Sequence, residues 1–183
     1  LNVLKKTHIR LMSILAFMVL LDQSIKLCIY HNHMDKSLDL LFGFVRFEPK
    51  FNREYSWLNN LFDLGISKAA HIMLNVLALI LFWLFFCYIR EMHNCSRLTN
   101  FIFICVLSGF ICSLADKIFW DGSLDFIQLR GLFTFDLKDL YLTVFEVAVI
   151  AMLIFNYRNM RSIDEKQVAR DFIRYTKNLF KRN

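Results

Sequence analysis

The chain has 183 residues, of which 57% are hydrophobic and only 21% charged, with one Pro and five Gly; its mean hydropathy is +0.43. This apolar content excludes a disordered chain and exceeds that of an ordinary soluble domain. Five cysteines (28, 87, 95, 105 and 112) lie mostly inside apolar runs, without metal-ligand or disulfide-framework spacing, and read as small hydrophobes. What remains is an integral membrane protein of one domain, all-α across the bilayer. The chain opens on Leu1 rather than Met, which reads as trimming or an unusual start codon.

Four spans are expected, at about residues 11–30, 69–89, 98–118 and 139–157. The second and third contain runs of 21 and 18 residues without a formal charge, Ala69–Ile89 and Leu98–Ala115, near the length that crosses the hydrocarbon core. The first carries Asp22 and Lys26, and the fourth carries Glu146. No small-residue cleavage site follows the first, so it reads as a retained span rather than a signal peptide. Segments 1–10, 90–97 and 158–183 hold 13 of the 22 Lys and Arg but 4 of the 16 acids. Basic loops stay in the cytoplasm, so both termini are expected inside. The high pI thus points to the inner leaflet and not to nucleic acid.

Between the spans lie two extracytoplasmic segments, 31–68 and 119–138. Partial alternation (Phe42, Phe44, then Arg46, Glu48; later Phe126, Gln128) predicts short strands at the outer surface, and Asn59-Asn60 and Gly65 mark turns. The tail 158–183 spaces Val168, Phe172, Ile173, Tyr175, Leu179 and Phe180 as an amphipathic helix would, fit either to lie on anionic lipid or to stand free as a solvated tail. Phe119, Trp120 and Trp57 fit interfacial anchors, and His71 and Asn75, four apart in the second span, suggest interhelical hydrogen bonds.

With this orientation Asp22 and Lys26, Asp116 and Lys117, and Asp139 all reach the outer membrane boundary from three different spans. Charges in spans face the bundle interior and mark function. Two carboxylates brought together in a dry site share one proton, so one can act as base on a water while the other polarises a carbonyl. Asp116 and Asp139 are the candidates for that pair. Asp22 has Lys26 four residues on and reads as a strut. Glu146 is expected to pair with Lys26. His31 and His33 lack further ligands, and no metal or other cofactor is expected.

The motifs in order carry a resemblance. Asp22-Gln23 with Lys26, then Ser108-Gly109-Phe110-Ile111-Cys112-Ser113-Leu114-Ala115-Asp116-Lys117, then Gly122-Ser123-Leu124-Asp125-Phe126-Ile127, then Phe135-Asp136-Leu137-Lys138-Asp139 together resemble signal peptidase II, the prolipoprotein signal peptidase of bacteria. The resemblance implies an aspartic endopeptidase of the bacterial inner membrane with its site at the extracytoplasmic face. It would cut a diacylglyceryl-modified prolipoprotein just before the lipidated Cys, with a small β-strand cradle over the site and nothing that requires a second subunit. By position it places catalysis on Asp116 and Asp139 and support on Asp22, Lys26, Asn52, Gly109, Ser113, Lys117, Asp125 and Asp136. The chain departs from the family pattern in having Ser113 and Asp136 for Asn, Lys117 for Arg and Lys138 for Ala. Such changes leave open a non-catalytic or narrowly specialised paralogue that binds lipoproteins or another membrane partner.

Overall fold

A computed structural model describes residues 2–56, 59, 62–92, 96–155 and 164–181, with the side chains of 2–6, 165 and 180 left aside. Trp57, Asn60 and the start of the tail therefore lie outside the described residues. The chain forms α1 (Asn2–Asn32), β1 (Leu38–Leu40), β2 (Val45–Asn52), α2 (Lys68–Met92), α3 (Arg97–Ala115), β3 (Ser123–Leu129), β4 (Thr134–Phe135), α4 (Leu137–Phe155) and α5 (Glu165–Lys181). Among the described residues three helices are long and apolar enough to cross a membrane: Thr7–Asn32, Lys68–Met92 and Arg97–Trp120. The expected fourth span corresponds to α4, whose described part is 19 residues long and carries Lys138, Asp139 and Glu146.

The uncharged runs predicted as spans two and three form α2 and α3 because a backbone without water must satisfy its own N–H and C=O groups. Ser96 starts α3 by accepting the Thr99 amide at 3.0 Å. α3 is the central helix and packs on α1, α2 and α4. Its small residues permit close approach. A Cβ on Gly109 would lie 2.6 Å from Leu142 Cδ2, so this glycine lets α4 touch α3. The core joins Leu11, Leu15 and Met18 of α1 to Phe86 of α2, Phe103–Leu107 of α3 and Tyr141 of α4. Outward-facing Phe17, Leu20, Met73, Val147 and Ile150 remain exposed, as suits contact with acyl chains.

The alternating outer segments form one antiparallel sheet in the order β1-β2-β3-β4. Arg46 pairs with Gln128 and Phe47 with Ile127, but the register then slips, so that Lys50 faces Asp125. Pro49, the only proline in the sequence, lies in the slip, where it has no N–H to give the ladder. Phe47, Leu124 and Phe126 of the sheet pack with Ile25 and Ile29 of α1, which seats the sheet on the end of the first helix.

The tail helix α5 lays Phe172 against Phe85 and Tyr88, with Tyr175 also against Tyr88. The aromatic residues of α2 divide between core and surface: Phe86 stacks on Phe103 at 5.1 Å, while Trp83 faces outward.

Candidate active site

Four chain segments meet where the sheet joins the helices. α1 brings Asp22, Gln23 and Lys26. α3 ends in a π-helical turn, Asp116–Trp120, which buries both Asp116 and Lys117. β3 contributes Ser123 and Asp125, and the head of α4 contributes Asp136, Lys138 and Asp139. Asp136 caps α4: its Oδ1 accepts the Asp139 amide, and Asp139 Oδ2 accepts the Asp136 amide, both at 3.2 Å. This reciprocal pair is a capping box with carboxylates in both places, and it orients Asp139.

Two ammonium groups hold the carboxylates together. Lys26 Nζ lies 3.0 Å from Asp22, 2.6 Å from Asp116 and 2.7 Å from Asp136. Lys138 Nζ contacts Asp136, and lies 3.2 Å from Asp116, 3.8 Å from Asp125 and 3.9 Å from Asp139. Taking such charges out of water is costly unless every group finds partners, and here nearly all do. Ser123 Oγ bridges Asp116, Asp125 and Asp136 at 3.3, 2.7 and 3.1 Å and accepts from Lys138 at 2.6 Å. Gln23 Nε2 donates to Asp22 and to Asp116 Oδ1, while its Oε1 accepts from Trp120 Nε1 at 3.0 Å. Asp22 also accepts the backbone N–H of Lys138, which ties α1 to the start of α4.

Burial pushes the Asp136 carboxyl up, but the adjoining Lys138 and Lys26 outweigh it and hold the group below the ordinary carboxylate range. Asp125 moves the other way: burial raises it, and Lys138 offsets this only in part. Carboxylate oxygens of Asp125, Asp136 and Asp139 lie within 4.8 Å of one another, a spacing that could hold a cation. The ammonium of Lys138 already stands against all three.

Asp116 and Asp139 differ in access. The Asp116 side chain is 1% exposed and contacted at both oxygens, whereas that of Asp139 is 41% exposed. Asp139 borders a cavity of about 740 Å³ that Asn52, Ser113, Lys117, Ser123 and Lys138 also line. The two aspartates therefore belong to one cluster, with the Lys138 ammonium reaching both.

The remaining predicted residues fall as follows. Asn52 Nδ2 donates to Asp125 at 3.3 Å, and Ser113 Oγ accepts from Lys117 at 2.7 Å. Gly109 serves helix packing. Asp22 pairs with Lys26 as expected. Glu146 does not pair with Lys26, whose ammonium is taken by three aspartates; it lines the cavity instead. Trp120 is anchored by Gln23, while Phe119 is exposed. His71 Nε2 and Asn75 Oδ1 find no interhelical partner among the described residues.

Gln23 and Ser123 stand in the sequence motifs, but sequence reasoning gives neither a role in the site. Gln23 precedes Lys26 by three residues, on the same helix side, and Ser123 follows the one glycine whose Cβ would strike the Asn52 carbonyl oxygen, at 2.6 Å. Ser123 and Lys138 have the spacing of a nucleophile and its base. Loss of a proton from Lys138 would, however, leave the surrounding carboxylates short of counter-charge, so the pair is better built for holding charge than for attack.

The family model for signal peptidase (SPase) II matches residues 14–156. The chain belongs to the signal peptidase II family. Membership makes it a membrane peptidase of lipoprotein processing. The fold agrees with two solved structures described as a bacterial membrane enzyme, determined by the in meso method at 2.3 and 1.9 Å. Both are 18% identical to this chain. The first has a TM-score of 0.66 and covers 85% of this chain and 93% of its own; the second has a TM-score of 0.67 and covers 80% and 94%. No curated protein sequence matches the chain.

Proposed function

We propose that the protein is an aspartic endopeptidase that removes the signal peptide from diacylglyceryl-modified prolipoproteins, cutting just before the lipidated Cys. In this reading α4 is the fourth span, both termini are cytoplasmic, and the cluster faces the extracytoplasmic side of the inner membrane. The protein acts as a single-chain enzyme. The charge asymmetry of the loops supports the orientation. The observation that carries the catalytic reading is that Asp116 and Asp139, from the end of α3 and the head of α4, reach the same ammonium beside a cavity bordered by Asp139.

Asp139 is the general base. Its exposed carboxylate takes a proton from a water in the cavity, and the water oxygen bonds to the scissile carbonyl carbon. The proton then passes from Asp139 to the departing amine as the C–N bond breaks, so nothing is left over. In a simple aspartate dyad a shared proton keeps the two negative charges together. Here Lys138, where the family pattern has Ala, supplies positive charge between them, while Asp116 anchors Lys138 and Lys26. Asp22, Lys26, Gln23, Ser123, Asp125 and Asp136 position these groups, and Asn52, Ser113 and Lys117 shape the cavity wall.

The test is cleavage of a diacylglyceryl-modified precursor by the purified protein and by Asp116→Asn and Asp139→Asn. Each substitution keeps side-chain size: Asp139→Asn removes the base and should reduce turnover by about 10³-fold or more, and Asp116→Asn, which loosens the hold on Lys138 and Lys26, should reduce turnover as well, while both proteins stay folded. Processing at the original rate by both variants overturns the assignment.

A further inference from the structure

The cavity has a second polar feature, on the wall that α2 supplies. His71 and Asn75 stand four residues apart on one helix face, and both line the cavity. They are 9% and 8% exposed, and His71 Nε2 and Asn75 Oδ1 have no hydrogen-bond partner among the described residues. A buried polar atom without a partner is costly and rare. The wall beside them is apolar, with Leu74, Ala78, Phe110 and Leu142, and among the described residues the polar groups that line the same cavity, Tyr55, Ser113, Lys117 and Glu146 included, make no hydrogen bond to either atom. Packing does not explain two such polar atoms side by side, whereas a ligand that supplies the missing partners does.

The chemistry of Asn75 narrows that ligand. A side-chain amide oxygen only accepts. The lipid part of a diacylglyceryl cysteine offers ester and thioether groups, which have no donor, and acyl chains, which have no polar atom. The peptide part offers a main-chain N–H at nearly every residue. We infer that His71 and Asn75 form a polar subsite for the main chain of the substrate peptide: Asn75 Oδ1 accepts a peptide N–H, and His71, in its Nε2–H form, donates to a peptide C=O. The inference rests on reading this cavity as the peptidase site. The two residues are positioning residues. They hold the peptide against the apolar wall while the acyl chains remain in the bilayer, and they contribute to binding rather than to the chemical step.

The test uses the full chain in detergent micelles and synthetic precursor peptides carrying diacylglyceryl cysteine, with a series N-methylated at one backbone amide at a time near that cysteine. Asn75→Leu keeps the size of the side chain and removes the acceptor. It should raise KM about tenfold or more, the effect of one hydrogen bond lost in a dry site, with kcat within about twofold. Asn75→Gln, which keeps the carbonyl, should recover part of the loss. One N-methylated peptide should lose as much against the unaltered protein as the parent peptide loses against Asn75→Leu, and combining the two should cost no more than either alone. Binding is followed in parallel with Asp139→Asn, so that affinity is read without turnover. Unchanged KM in Asn75→Leu, indifference to every N-methyl group, or losses that multiply would each overturn the subsite. Weaker binding of diacylglyceryl lipid without peptide in Asn75→Leu would assign the subsite to lipid and overturn it too. If Asn75→Leu does not fold, the N-methyl series on the unaltered protein decides. A protein that binds the precursor through Asn75 but never cuts it refutes the peptidase reading and leaves the subsite standing; one that cuts it with no regard for Asn75 does the reverse.

Discussion

Replacing Lys138 with methionine removes one charge from the centre of the cluster and keeps most of the side-chain volume. Its ammonium contacts Asp136 and Ser123 and lies within 3.9 Å of Asp116, Asp125 and Asp139. Deleting one partner of a buried ion pair costs about 3–5 kcal/mol, because the other is left uncompensated. The cost should depend on pH, and the sign follows from Asp136. In the unaltered protein its folded carboxyl lies below the unfolded value of 3.8, since Lys138 and Lys26 outweigh burial. Its ionised form therefore adds stability above that value, and the contribution fades as pH falls through the folded value. With only Lys26 left, burial is opposed less and Asp136 keeps its proton to higher pH. Lys138→Met should thus be about 3–5 kcal/mol less stable near neutrality, and the gap should narrow as pH falls from neutrality toward the unfolded carboxyl value of 3.8. Unfolding midpoints in mixed micelles across that range measure both effects. A deficit below about 1 kcal/mol at neutral pH, or one that does not change with pH, would refute a charge-compensating role for Lys138.

Other consequences are simpler to read. Gly109→Ala places a methyl 2.6 Å from Leu142 Cδ2 and should destabilise by about 1–3 kcal/mol, with Leu142→Ala in the same chain relieving part of it; additive losses in the unfolding midpoint would argue against the contact. Gly122→Ala adds a Cβ 2.6 Å from the Asn52 carbonyl oxygen at a φ of +153°. It should loosen the β2–β3 end of the sheet and increase proteolysis there, whereas unchanged cleavage kinetics would contradict the close approach. Asp22→Asn removes one of the three carboxylates around Lys26 and weakens the tie to the Lys138 amide. It should cost stability more than turnover per folded molecule, measured by midpoint and active-site-normalised rate; the opposite pattern would place Asp22 in the chemistry.

The helices and strands were legible where a single physical pressure acts on a long stretch. The uncharged runs of α2 and α3 leave no other structure for a backbone without water, and alternation in 38–51 and 121–138 anticipates β1 to β4. The meeting of Asp22, Lys26, Asp116 and Asp139 in one cluster is what the order of the expected spans suggests. What a sequence cannot give is rotation about a helix axis. Glu146, two turns after Asp139 on the same helix face, is expected to pair with Lys26, yet three aspartates take that ammonium. The π turn at Asp116–Trp120 carries no composition signal, although it buries Lys117 beside Asp116. The role of Lys138 shows only as a departure from the family pattern: its reach into four carboxylates depends on the side chain meeting Ser123 and Asp125 of β3, which no spacing predicts. The spacing of His71 and Asn75 suggests helix–helix hydrogen bonds, because nothing in a sequence tells a neighbouring helix from a cavity.

The most direct measurement of the catalytic account is the mass of the products when purified protein, in lipid or detergent, meets a diacylglyceryl-modified precursor. The account predicts a released signal peptide and a mature chain that begins at the lipidated Cys, with no such products from Asp139→Asn that is folded and inserted. Cleavage at the same bond and rate by Asp139→Asn would contradict it.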